Sequence, residues 1–105
     1  MDKNTDNTIR RFILKVANQT HGFVTAYLFG SYAKNNQREW SDIDVALVSD
    51  DFSGFAYNDL DLLGNICIKR DYVPIQTKFY STKYFKKGDP FIEEILKTGI
   101  EIPVL

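Results

Sequence analysis

The stretch LFGSYAKNNQREWSDIDVALVSD, Leu28 to Asp50, decides the fold. An apolar run ends in a Gly-Ser step, a polar segment follows, and a second apolar run opens with two aspartates one residue apart. The residues FVTAYLFG leading into it are β-branched and aromatic and stop at glycine, so they read as a strand. Residues 42–49, DIDVALVS, read as a second strand. It is nearly continuously apolar after Asp44, which places it in the middle of a sheet with both faces buried. Between the two, Ser31 to about Asn36 reads as a short helix opening at the Gly-Ser turn.

Alternate residues of a strand share a face, so Asp42 and Asp44 point the same way with carboxylates several ångströms apart. Like charges at that spacing oppose each other's ionisation. A divalent cation removes the conflict, and Mg²⁺ takes hard oxygen ligands, commonly one or two carboxylates together with substrate phosphates. Gly30 lets the backbone turn tightly and approach a ligand closely. A helix starting at Ser31 offers free N–H groups to a phosphate, the Ser31 hydroxyl can donate to the same group, and Lys34 adds a positive charge one turn on. The plainer readings are an Asx turn or strand cap at Asp42 and a solvated helix lysine at Lys34. Asp44 resists such a reading, because a carboxylate inside an apolar strand needs a partner. Trp40 reads either as packing beneath the polar segment or as a stacking surface for a base. His21, beside Gly22, reads as a surface or capping residue.

Outward from this centre, residues 6–20 form an amphipathic pattern with Ile9, Phe12, Ile13 and Val16 at helical spacing. Thr5 or Asp6 serves as its cap. Residues 57–69 read as a second helix, with Leu60, Leu63 and Cys67 on one stripe and Leu62 and Ile66 beside it. DYVPIQTKF reads as a third strand in which Pro74, lacking an N–H, fits an edge strand or a strand start. STKYFKKGD reads as a short turn-rich helix. Asp89 caps a last helix that has Pro90 at its first position, carries Phe91, Ile92, Ile95 and Leu96, and stops at Gly99. IEIPVL is a terminal extended segment. The alternation predicts a small mixed α/β or α+β domain.

The 105 residues suit one domain spanning 1–105. A formal net charge of -1 argues against a basic nucleic-acid-binding surface. No apolar run approaches the length of a membrane span, and the polar start MDKNTDNTIRRF has no signal-peptide core. The single cysteine, Cys67, forms no internal disulfide, which fits a reducing cytoplasm; in its apolar run it reads as a small buried hydrophobe. The aromatic second half, with Tyr72, Phe79, Tyr80, Tyr84 and Phe85, reads either as core or as a surface for a partner.

GSYAKNNQREWSDIDVAL matches a Gly-Ser, ten residues, Asp-x-Asp signature, and in it the chain resembles the minimal branch of the DNA polymerase β-like nucleotidyltransferase superfamily. The resemblance implies an α+β nucleotidyltransferase fold: a small twisted mixed sheet with helices mainly on one face. It implies transfer of a nucleoside monophosphate, AMP from ATP, to a hydroxyl with release of pyrophosphate. Gly30 and Ser31 would hold the β- and γ-phosphates, with Lys34 beside them, and Asp42 and Asp44 would hold one or two Mg²⁺ ions. Two such ions would stabilise the attacking and the leaving oxygens. The superfamily pattern has a third carboxylate on a later strand. In DYVPIQTKFY that position falls on Gln76, which offers a neutral carbonyl oxygen; Asp71 is the alternative donor, or a solvent-exposed strand cap. The resemblance therefore implies either a Mg²⁺-dependent nucleotidyltransferase or a catalytically weak, nucleotide-binding, antitoxin-like half of a HEPN/MNT-type pair. The partner would be a small helical HEPN-type protein, or a second copy of the chain.

Overall fold

The computed structural model describes residues 3–35, 42–53, 56–67, 72 and 74–103, without the side chains of 56–58, 60, 61 and 67. Trp40 and Asp71, and the side chains of Leu60 and Cys67, lie outside that set. Among the described residues eight elements follow one another: α1 Lys3–Gln19, β1 Phe23–Phe29, β2 Ile43–Ser49, α2 Ala56–Cys67, β3 Ile75–Tyr80, α3 Thr82–Lys87, α4 Pro90–Thr98 and β4 Ile100–Ile102. The sheet has the order β3-β2-β1-β4. β1 runs antiparallel to both β2 and β4, while β2 and β3 are parallel. A parallel pair needs a long crossover, and α2 supplies it.

β2 is central, as its unbroken apolar run requires. Ile43, Val45 and Leu47 bury against Ile9, Phe12, Ile13 and Val16 of α1 and Leu63 and Ile66 of α2. On the opposite face Ala46 and Val48 pack with Tyr80, Ile92 and Ile95, and with the partly buried Tyr27, Phe29 and Phe85. The two long helices thus share one face, and the short helices α3 and α4 cover part of the other. No helix among the described residues is long and apolar enough to cross a membrane.

Some expectations shift. α1 begins at Lys3, so Thr5 and Asp6 sit inside its first turn instead of preceding it. Asp6 still favours that end through its charge and accepts a hydrogen bond from Arg10 Nε at 3.0 Å. The helix expected at 31–36 does not form. The Lys34 N–H bonds to the Gly30 carbonyl at 3.1 Å, closing one turn, but Asn35 has φ 57°, the left-handed conformation that ends helical propagation. β3 starts at Ile75, four residues later than expected; Pro74 lies just outside it and accepts from the Ile43 N–H at 3.0 Å. The terminal extended segment becomes a fourth strand, with Leu28 opposite Ile100 and Ala26 opposite Ile102. Tyr72, Phe79 and Tyr80 are core residues, so they offer no partner surface. Leu62, Phe91 and Leu96 are exposed.

α3 and α4 are fixed by side-chain caps. Ser81 Oγ accepts from the Tyr84 N–H at 3.2 Å. Asp89 accepts from the Ile92 N–H at 2.7 Å and from the Tyr84 hydroxyl at 2.6 Å. These bonds hold Asp89 below the usual carboxylate range. Beneath them the Tyr80 hydroxyl is buried with no hydrogen-bond partner among the described residues.

Two predictions follow from this packing. Ile92→Ala empties a fully buried position and lowers unfolding free energy by about 2–5 kcal/mol in urea titration. Burial, with the charge of Asp89 and with Tyr84 adding, pushes the Tyr80 phenol up to about 12. Because the folded value lies above the unfolded one, the associated stability is complete below about pH 10 and is lost as pH rises towards 12. Urea titrations across that range will show the wild type weakening. Tyr80→Phe will show a flatter profile, with a gain of up to ~1 kcal/mol at neutral pH from removal of the unpaired hydroxyl.

Candidate active site

Gly30 ends β1 with φ 73°, a conformation open to glycine and costly for other residues. A Cβ there would also collide with Asp44 Oδ2 and lie 3.3 Å from Asp44 Cγ. The Asp44 carboxyl is therefore laid directly against the backbone of the turn. The register explains this: Phe29 pairs with Asp44 across the antiparallel β1–β2 ladder, so the next residue folds over the carboxylate. Ser31 follows, partly buried, inside the turn closed by the Lys34 N–H.

Asp42 stands immediately before β2 and is exposed. Asp44 is partly buried, and burial, with the charge of Asp42 second, raises its carboxyl above the usual range. The two acids thus feel each other, as their spacing requires. Across the parallel β2–β3 ladder, Asp44 pairs with Gln76. Register partners share a face, so the amide of Gln76 stands where a third acid was expected. Among the described residues no group of three His, Cys, Asp or Glu forms a metal cluster. Two carboxylates with an amide oxygen nearby make a hard-oxygen set suited to one Mg²⁺ shared with phosphates, whose charge would offset both the burial and the lesser Asp42 repulsion that raise the Asp44 carboxyl.

Lys34 is exposed, and its Nζ lies 3.8 Å from Glu94 Oε1 on α4. An exposed pair at that distance contributes little stability, and the contact leans the lysine towards α4. Gly30, Asp42 and Gln76 thus all neighbour Asp44, with Ser31 next to Gly30 in the turn, while Lys34 lies beside Glu94 of α4.

A cleft of about 850 Å³ opens beside Asp44 and Gln76, with Phe29, Lys78, Tyr84 and Phe91 among its walls. Lys78 Nζ sits 4.3 Å from the centre of the Phe91 ring, a cation–π distance. Phe91 meets Phe29 edge-on, with ring centres 5.6 Å apart. Sequence reasoning passed over Lys78, yet the signal was present. Gln76, Lys78 and Tyr80 alternate along β3, so whatever face Gln76 takes, Lys78 shares.

The model of the "Polymerase beta, Nucleotidyltransferase" family matches residues 12–103. A candidate protein adenylyltransferase of Methanocaldococcus jannaschii is 49% identical over 39 residues, which are 37% of this chain and 41% of that protein. The match therefore spans less than half the length of that relative. Among solved structures, a candidate nucleotidyltransferase from Sulfolobus solfataricus superposes with TM-score 0.66 at 14% identity, covering 90% of this chain and 76% of the other. A toxin–antitoxin structure with AMP-PNP gives TM-score 0.60 at 18% identity over 90% and 69%. A candidate minimal nucleotidyltransferase gives 0.59 at 22% identity over 97% of both chains. At these identities the solved structures speak to the fold, whereas the family model covers most of the sequence: the chain belongs to the polymerase beta nucleotidyltransferase family.

Proposed function

We propose that this chain is a Mg²⁺-dependent nucleotidyltransferase that moves AMP from ATP to a hydroxyl on a partner protein. The observation that carries the reading is the Asp44 carboxyl packed against the Gly30 turn, with Asp42 beside it on the same face. Asp42 and Asp44 would hold the metal ion. The missing Cβ of Gly30 makes room for the Asp44 carboxyl beside the turn, and the Ser31 hydroxyl would donate to a phosphate oxygen. Mg²⁺, when bound, supplies neutralising charge to the triphosphate and to the departing pyrophosphate. The acceptor oxygen forms a bond to the α-phosphorus as the bond to pyrophosphate breaks, and the hydroxyl proton passes to water, since Gln76 is no base. Positioning and charge neutralisation carry the rate. A protein acceptor is favoured by the activity named for the Methanocaldococcus relative.

Gln76 opposite Asp44 favours a second reading: a nucleotide-binding module with weak transfer that serves as the antitoxin-like half of a two-protein pair. The toxin–antitoxin neighbour with AMP-PNP supports a nucleotide and a protein partner in that role. A small helical HEPN-type protein is the proposed partner.

The two readings separate by experiment. AMP-PNP binding with Mg²⁺, followed by calorimetry, weakens in Asp42→Ala and Asp44→Ala by more than the ~10–100-fold cost of losing an outer-shell partner. Unchanged binding in both variants would remove the site assignment. Label transfer from α-³²P ATP to protein is expected from the wild type and to vanish in Asp42→Ala. Binding without transfer, with transfer appearing in Gln76→Glu, would select the second reading. Gly30→Ala is expected to lose nucleotide binding along with stability, because its Cβ displaces the Asp44 carboxyl.

A further inference from the structure

Among the described residues the site has fewer acids than a pair of divalent ions would need. Asp42 and Asp44 suffice for one ion shared with a triphosphate, but a second ion needs oxygens of its own. The position facing Asp44 offers only the neutral amide of Gln76, and no third acid joins the cluster among the described residues. A triphosphate brought to two carboxylates and one Mg²⁺ still carries a large excess of negative charge.

The next residue along that face of β3 is Lys78, exposed and in register with Ala46. Its backbone lies about 7 Å along the strand from Gln76, within the span of a four-carbon side chain. Among the described residues no carboxylate lies within ion-pair distance of its ammonium, although the charge helps to lower Asp89 across the cleft. Phe91 holds the ammonium 4.3 Å from its ring centre. Phe91 in turn rests on Phe29, the cross-strand partner of Asp44. A chain of ring contacts thus positions a compact positive charge at the wall of the cleft that Asp44 and Gln76 also line.

We propose that Lys78 takes the place of a second metal ion: the site loads one divalent ion with each nucleotide, and the Lys78 ammonium neutralises the phosphates on the Gln76 side. The inference rests on the metal–nucleotide reading above and adds Lys78 as a nucleotide-binding residue. Gln76 and Lys78 then form one arrangement, since an acid at 76 would compete with the phosphates for the ammonium.

Equilibrium dialysis of the full chain against Mn²⁺ and AMP-PNP tests the stoichiometry; one Mn²⁺ per bound nucleotide is expected, and two would overturn the proposal. Calorimetry with AMP-PNP in EDTA tests the lysine without metal. Lys78→Met keeps an apolar stem on Phe91 and is expected to weaken binding roughly tenfold or more, while Lys78→Arg retains it and thermal melts of both match the wild type. Unchanged affinity in a folded Lys78→Met protein would overturn the proposal. Gln76→Glu combined with Lys78→Met is expected to take up a second Mn²⁺, and a double variant that still holds one counts against the exchange of lysine for metal. A wild type that binds no nucleotide with Mn²⁺ would instead sink the underlying reading. Wild-type binding that ignores Lys78 or carries two ions sinks this inference alone.

Discussion

Strand β2 pairs antiparallel with β1 on one side and parallel with β3 on the other, and the register of those two ladders fixes where Asp44, Gln76 and Lys78 stand. Side chains alternate with period two, so a slip of one residue in either ladder would turn a whole face over. A slipped β2 would send Asp44 into the cluster under α1 and α2 and would turn Val45 and Leu47 to the cleft. The burial of Ile43, Val45 and Leu47 therefore does more than stabilise the sheet. It holds the Asp44 carboxylate on the opposite face against the turn at Gly30, although that position raises the energy of its charged form.

The layering reflects the same division. The face carrying Ile43, Val45 and Leu47 is closed by the long helices α1 and α2. The other face is closed by α3 and α4 over Ala46 and Val48, while the end with Asp44 and Gln76 opens into the cleft. The cap at Asp89, shared between the α4 backbone and the Tyr84 hydroxyl, sets where that closure stops. A domain of this size has a limited core, and here part of one sheet face is left for ligand.

Much of this was legible in the sequence because it was written in strong local signals. The α1 stripe, the central strand, the Asp89–Pro90 helix start and the face shared by Asp42 and Asp44 each follow from periodicity or capping chemistry. The alignment of Gln76 with Asp44 was legible as a pattern and has its physical form in the parallel ladder. The helix after Ser31 was misread because apolar and polar spacing does not reveal a left-handed residue at Asn35. The pairing of Ile100–Ile102 with β1 was missed because three residues carry too little periodicity to declare a partner. Lys78 was passed over for a different reason: a lysine on an edge strand usually serves to discourage aggregation, and only its contact with Phe91 gives it a direction.

β3 has one neighbour in the sheet, whereas β2 has two. Local opening is easiest where backbone bonds are few and solvent is near. Asp44 thus stands on a strand paired on both sides, which opens less readily, and Gln76 and Lys78 on one paired on a single side among the described residues. One side of the cleft is a rigid anvil and the other a compliant jaw. Occupants of different bulk can be gripped by small excursions of β3, with no disturbance to the register that sets Asp44 against Gly30.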